Sequence, residues 1–318
     1  MRVLLAGGAG FIGSHLTDAL LARGDEVVAI DNLSTGRRSN LVHLYNNDHF
    51  TLVEHDVCYE FPDHTALSEP FDAVLDLASP ASPSDFARIP LAILSVGSIG
   101  TRNLLDRALA DGATFFLAST SEVYGDPLVH PQPETYWGNV SSIGPRSCYD
   151  EAKRFSEALT MAYHRVYGLD IRIARIFNTY GERMRPQDGR VVGTFIEQAL
   201  RGEPITLHGD GNQTRSFCHV SDEVRGLVAL LDSDLSEPVN IGNSAEFTMR
   251  QLAELVVALC KSSSAVVSIP MPPEREGDPV QRCPDITRAR DLLDWEPSVS
   301  LSEGLGRMID YFHNYEGF

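Results

Sequence analysis

The sequence predicts an α/β protein built on a doubly wound parallel sheet, with a smaller α/β lobe in its C-terminal half. Three observations predict it. Short apolar runs alternate with segments of helical period, the pattern of parallel strands buried on both faces by helices. The first run leads into a glycine-rich turn that opens a helix. After about residue 178 glycine and proline become denser and short helices interrupt the loops.

In chain order, residues 2–6 form the first apolar run. Residues 11–22 have helical spacing, with Ile12, Leu16, Ala19 and Leu20 on one side. Residues 26–30 are the second run, and 73–77, 114–118 and 171–176 are further buried-strand candidates. Helices are expected over about 90–109 and from 149 to about 167, the latter with Ala152, Phe155, Leu159, Ala162 and Val166 at helical spacing. A short helix is expected over 248–260. The domain reading is 1–177 for a nucleotide-binding domain, with a later return segment near 213–240, and 178–318 mainly for the second lobe. No internal repeat or low-complexity tract interrupts this plan.

Composition bounds the function. The chain has 318 residues, 43% of them hydrophobic, enough for a sizeable core. With 26 Lys and Arg against 44 Asp and Glu, its formal charge is −18, so no general nucleic-acid binding is expected. The five cysteines are odd in number, widely spaced and free of C-x-x-C. That argues against a disulfide framework or zinc site and for reduced thiols. The histidines show no metal-ligand spacing, and no metal is expected. No run approaches the roughly 20 apolar residues of a membrane span, and no signal-type segment precedes the first strand. The expectation is a cytoplasmic protein with no membrane partner.

Gly7, Gly10 and Gly13 form G-x-x-G-x-x-G between the first strand and first helix. Lacking side chains, they allow a tight turn, close approach of a pyrophosphate, and close helix–strand packing. The helix N-terminus, opening with Phe11 and Ile12, offers free N–H groups and the positive dipole end to phosphates. This is a Rossmann-type arrangement. Asp31 closes the second strand, eighteen residues beyond Gly13, and is followed by Asn32. A carboxylate there accepts from ribose hydroxyls and repels a 2′-phosphate, which favours NAD over NADP. Asp56 and Val57, after the third apolar run, read as an adenine-edge contact, although Asp is common in such loops.

Tyr149 and Lys153 stand one helical turn apart. To act as a base at neutral pH, a phenol must fall from about 10 to about 7, about 4 kcal/mol. An adjacent ammonium and a positive nicotinamide ring are the expected sources. Alone, such a pair is as readily an ordinary surface pair. Beside the glycine turn, and with Ser119-Thr120-Ser121-Glu122 after a strand, it reads as catalytic.

This combination resembles the extended short-chain dehydrogenase/reductase superfamily. The strings Leu77-Ala78-Ser79-Pro80-Ala81-Ser82-Pro83, Ser119 to Pro127, Gly144-Pro145-Arg146, Ala174 to Gly181, Asp188 to Val192 and Gln213-Thr214-Arg215 resemble its UDP-glucuronate decarboxylase (UDP-xylose synthase) family, over nearly the whole chain. The resemblance implies NAD as cofactor, UDP-glucuronate and UDP-xylose as ligands, and a homodimer, with which the helices at 90–109 and 149–167 are consistent if they expose apolar faces beyond those that pack on the sheet. It makes Tyr149 the base, Lys153 its partner and a nicotinamide-ribose ligand, and places Thr120 at the reactive hydroxyl. Phe11, Ile12, Asn32, Leu77 and Ala78 join the cofactor contacts. Pro80, Ser82, Glu122, Asn178, Arg190, Arg215 and Arg275 join the substrate contacts, and Arg282 meets the sugar carboxylate or the charge left after CO2 departs. Cys283 stands where the family usually has Lys, which removes any role of that lysine.

Related 4,6-dehydratases carry Asp where Ser121 stands. A second carboxylate beside a uronic acid would repel it by about 4 kcal/mol at ~4 Å and an effective dielectric of 20. A serine removes that repulsion and donates a hydrogen bond. Glu122 is left with two readings, a protonated acid or a carboxylate acting through water. Two rivals share the cofactor turn. A UDP-hexose 4-epimerase uses the same Tyr/Lys pair but does not need Ser121-Glu122. A non-catalytic NAD-binding sensor often loses Tyr or Lys, and both are intact here.

Overall fold

The computed structural model describes all residues except 187–188, 271–280, 316 and 318. Its centre is a seven-stranded parallel sheet in the order Val239–Ile241, Ile171–Ile176, Thr114–Thr120, Ala73–Asp76, Arg2–Ala6, Glu26–Asp31, Phe50–Glu54. The first strand pairs with both the second and the fourth, so the chain winds outward in both directions from Arg2–Ala6. The crevice at its C-terminal end is a switch point, where α/β sheets bind ligands.

Continuous burial explains the strand sequences. Val3, Leu4, Leu5, Val27, Val28, Ala29 and Ile30 are all fully buried, because helices cover both faces. On one face Leu16 and Leu20 of the helix Phe11–Ala22 pack with Leu227 and Leu230 of the helix Val220–Leu231. On the other, Leu104, Leu105 and Tyr163, from Thr101–Asp111 and Ser147–Tyr167, cover Phe115 and Ile173. Both of those helices stop at a left-handed glycine, Gly112 at φ 67° and Gly168 at φ 70°, which carries no Cβ penalty there.

The C-terminal lobe has its own core. Phe195 and Ile196 of Val191–Leu200, Leu252 of Met249–Leu259, and Met308 and Phe312 of Leu301–Tyr315 share one cluster. Thr248 starts the second of these helices with a reciprocal capping box to Gln251. The sheet's seventh strand comes from the second half of the chain, pairing Val239 with Ala174 and Ile241 with Ile176.

One expected element is broken. The helix read over 90–109 is Pro90–Ser95, a wide π turn over Val96–Gly100, then Thr101–Asp111, preceded by a short helix Pro83–Arg88. Gly97 sits in the wide turn against the helix Ser147–Tyr167. A Cβ there would lie 2.8 Å from the Ala152 Cβ, so backbone contact between helices takes priority over regular winding. Among the described residues, no helix is long and apolar enough to cross a membrane.

Candidate active site

A cavity of about 660 Å³ runs from the glycine turn at the switch point to the C-terminal lobe. The turn is tightly made. Gly7 has φ 81°, and a Cβ on it would lie 2.6 Å from the Leu77 carbonyl oxygen; one on Gly13 would lie 2.1 Å from the Gly7 carbonyl oxygen. Any side chain would fill the cradle that a pyrophosphate needs. Asp31 ties strand to turn. Its carboxylate accepts from the Ala9 and Leu33 N–H groups at 2.9 and 2.8 Å, and burial raises its pKa against the pull of those two bonds. Two acceptors with about four lone-pair sites keep capacity for a ribose. These residues fit a dinucleotide.

Gly7, Gly10, Phe11, Ile12, Gly13 and Leu77 line the cavity, while Asp31, Asn32, Asp56, Val57, Ala78 and Pro80 lie outside its lining. Asn32 donates to Asp56 at 2.9 Å. Val57 is 4% exposed and packs with Val53 and Leu67 in the core; its carbonyl accepts from Asn103.

The expected catalytic set comes from two elements. The strand Thr114–Thr120 delivers Thr120 at its end, and Ser121 and Glu122 open the turn that follows. The helix Ser147–Tyr167 delivers Tyr149 and Lys153. Tyr149 stacks on Phe86 with ring centroids 5.0 Å apart, and Thr120 is near enough to pull its phenol pKa down. All five line the same cavity.

The local electrostatics bear on two members of this set. Lys153 is anchored on the strand Thr114–Thr120. Its Nζ donates to the Ala118 carbonyl at 2.9 Å, and its charged neighbour is buried Asp76. Burial drives Lys153 and Asp76 toward their uncharged forms, and their mutual attraction opposes it. Burial pushes Tyr149 up to about 12; Thr120 pulls it down, while Glu122 and Asp150 push it further up. Of the two readings of Glu122, its arginine neighbours favour the carboxylate at rest. Burial would raise its pKa, but Arg282, and then Arg146, outweigh burial and hold it well below the usual carboxylate range.

The geometry explains that balance. Arg282 forks onto Glu122 with Nη1–Oε1 2.5 Å and Nη2–Oε2 2.7 Å, the bidentate pairing that suits guanidinium and carboxylate. Arg146 adds Nη2–Oε2 at 2.8 Å. Arg282 keeps one further buried donor, Nε, with no hydrogen-bond partner among the described residues. Arg146 was missed by sequence reasoning. Its signal was its place in Gly144-Pro145-Arg146, just before the catalytic helix and four residues ahead of Asp150.

Ser82, Asn178, Arg190 and Arg215 also line the cavity. Arg190 stands over the Phe11 ring at 5.6 Å, closer to the cofactor turn than its expected substrate role implied. Arg215 and Arg282 are register partners in paired strands, which is why residues so distant in sequence reach one wall. Arg275 lies outside the described residues, as does Asp188. Cys283 is buried, with its thiol pushed up to about 12 by burial. Its backbone N–H donates to the Gln132 side chain at 2.9 Å, which anchors the strand carrying Arg282. With His130 and Glu246 it forms a nitrogen, oxygen and sulfur trio within 4.8 Å, a cluster the sequence spacing did not show. His130 is hydrogen-bonded to Glu246 there.

A doubly wound sheet with a dinucleotide cradle at its switch point, facing a Thr–Tyr–Lys set and an arginine-lined lobe, defines an NAD-dependent enzyme of the extended short-chain dehydrogenase/reductase class. A family model described as GDP-mannose 4,6 dehydratase matches residues 4–308. The chain is 52% identical over 314 residues to UDP-glucuronic acid decarboxylase 1 of Arabidopsis thaliana, covering 99% of this chain and 70% of the relative. It is 50% identical over 311 residues to UDP-glucuronic acid decarboxylase 1 of Danio rerio, covering 98% and 72%. Among solved structures it resembles UDP-glucuronic acid 4-epimerase from Bacillus cereus in complex with UDP-glucuronic acid and NAD, with TM-score 0.85, 31% identity, and 98% and 99% of the two chains covered. The chain belongs to the UDP-glucuronic acid decarboxylase family of extended short-chain dehydrogenase/reductases.

Proposed function

We propose that this chain decarboxylates UDP-glucuronate to UDP-xylose through a 4-keto sugar. The observation that carries the reading is the Glu122–Arg282 fork on the wall shared with Thr120 and Tyr149, with Arg282 Nε buried and without a hydrogen-bond partner among the described residues. A buried donor without a partner disfavours the empty site and suits a sugar carboxylate or the oxyanion that follows it.

When bound, NAD supplies a positive ring that favours phenolate, and a hydride acceptor that gives the hydride back. Tyr149 takes the C4 hydroxyl proton, with Thr120 holding the phenol in place. The resulting β-keto acid loses CO2 as the C5 electron pair enters the C4 carbonyl. Ser121 keeps a second carboxylate away from the uronic acid, a repulsion worth about 4 kcal/mol at close range. Residues 1–177 with the return segment hold the cofactor, and 178–318 mainly hold the UDP-sugar. Arg190 and Arg215 suit the diphosphate.

The test is product analysis by mass after mixing with UDP-glucuronate. CO2 and UDP-xylose without stoichiometric NADH are expected. Conversion of UDP-glucose without CO2 would instead make the protein a 4-epimerase. The reading includes a homodimer. Leu91 and Leu94 on Pro90–Ser95, and Phe155 on Ser147–Tyr167, are exposed apolar residues on neighbouring helices. Sedimentation showing a monomer at micromolar concentration would refute it. A cytoplasmic location, consistent with five unpaired cysteines, is tested by fractionation.

A further inference from the structure

Decarboxylation has a proton balance that the catalytic set does not close. The proton Tyr149 takes from the C4 hydroxyl returns to the C4 oxygen when the hydride comes back. At C5 a C–C bond breaks, CO2 leaves, and a C–H bond forms, so each turnover consumes one further proton from water. With a dinucleotide and a nucleotide sugar in the main cavity, that proton needs another way in.

A second cavity of about 250 Å³, ample for several waters, lies behind the catalytic wall. Glu122 and Arg146 line both cavities, and so form the partition between them. Asp150, Asn139, Ser141 and Ser147 line only the second. Asp150 is 6% exposed, and its Oδ1 is buried with no hydrogen-bond partner among the described residues. Arg146 Nε stands 3.9 Å from its Oδ2. A buried carboxylate oxygen without a donor is costly when charged and is satisfied by water or by a proton.

We infer that the second cavity is the proton intake of this enzyme, with Asp150 as the residue that takes the proton from water and passes it to Glu122, which delivers it to C5. The inference rests on the proposed decarboxylation. The groups facing Asp150 favour this order. Burial raises its pKa and the Glu122 carboxylate raises it further, with Glu151 of its own helix adding to this, against the pull of Arg146 and Arg282. Glu122, gripped by both arginines, is the anion of the pair. One carboxyl holds the proton, and the carboxylate on the partition, which lines the same second cavity, accepts it through the water there. As C5–H forms, the enolate returns to the ketone, Glu122 returns to its ion pair, and Asp150 reloads from water.

The test uses the full chain with bound NAD, as wild type, Asp150→Asn and Asp150→Glu, and follows CO2 release and enzyme-bound NADH during turnover. Wild type should lose kcat as pH rises above neutral, with slower turnover in heavy water. Asp150→Asn should lower kcat about 100-fold with KM little changed, and bound NADH should accumulate because hydride return waits on the proton. Asp150→Glu should recover most of the rate with a displaced pH profile. Asp150→Asn at wild-type kcat would overturn the inference. So would a loss equal at every pH without NADH accumulation, which is what a merely structural role gives. Should Asp150→Asn not fold, an Asp150→Glu profile superimposable on wild type overturns it equally. Wild type that releases no CO2 from UDP-glucuronate refutes the proposed function itself, before either variant is read.

Discussion

Removing the Arg282 fork is the sharpest perturbation of this site. Arg282→Ala deletes two charge-assisted hydrogen bonds of 2.5 and 2.7 Å, between side chains only 4% and 14% exposed. Such bonds contribute about 1.5–3 kcal/mol each, and stripping one partner from a buried pair costs about 3–5 kcal/mol. Arg146 still holds one Glu122 oxygen at 2.8 Å, and the cavity admits water, so the expected loss is at the lower end, about 3 kcal/mol. With an unfolding entropy of about 2.1 cal/mol/K per residue, that lowers Tm by about 4–5 °C. Glu122→Gln removes the charge that Arg282→Ala strands, so the double variant should be less destabilised than the two losses combined, by about 2 kcal/mol. The measurement is a urea double-mutant cycle at neutral pH and fixed NAD. Neutral pH is the right side of the titration. A carboxylate whose folded pKa is depressed contributes fully above its unfolded value of about 4.3, and loses that contribution as pH falls through the folded value. Effects that add to within about 0.5 kcal/mol would show no energetic pair. In turnover, Arg282→Ala should lower kcat/KM at least about 100-fold.

Three further outcomes are expected. Tyr149→Phe should lower kcat by about 100- to 10,000-fold while NAD still binds; unaffected turnover would remove Tyr149 as the base. Gly13→Ala places a methyl 2.1 Å from the Gly7 carbonyl oxygen and should abolish tight NAD binding in a fluorescence titration, whereas an unchanged Kd would show that the turn can open. Ser121→Asp should slow CO2 release by about 30- to 1000-fold, from about 2–4 kcal/mol of repulsion, and leave UDP affinity unaltered; an unchanged rate would dispose of the electrostatic role of Ser121.

The sequence by itself determined what short windows encode. Gly7, Gly10 and Gly13 between an apolar run and a helical period specify a strand, a tight turn and a helix, because φ freedom and side-chain absence are local properties. The four-residue spacing of Tyr149 and Lys153 places both at one cavity, because helix geometry repeats over that distance. The tertiary structure decided which groups feel one another. Arg146, Glu122 and Arg282 come from a loop, a turn and a remote strand, and only their meeting holds the Glu122 carboxyl below the usual carboxylate range against its burial. Lys153 was read as the partner of Tyr149, yet its ammonium bonds Ala118 beside Asp76, which come from neighbouring strands of the sheet. The helix over 90–109 breaks because Gly97 meets Ala152 of another helix. Burial and Coulomb attraction depend on distance in space and on the local dielectric, and neither can be read from separation along the chain.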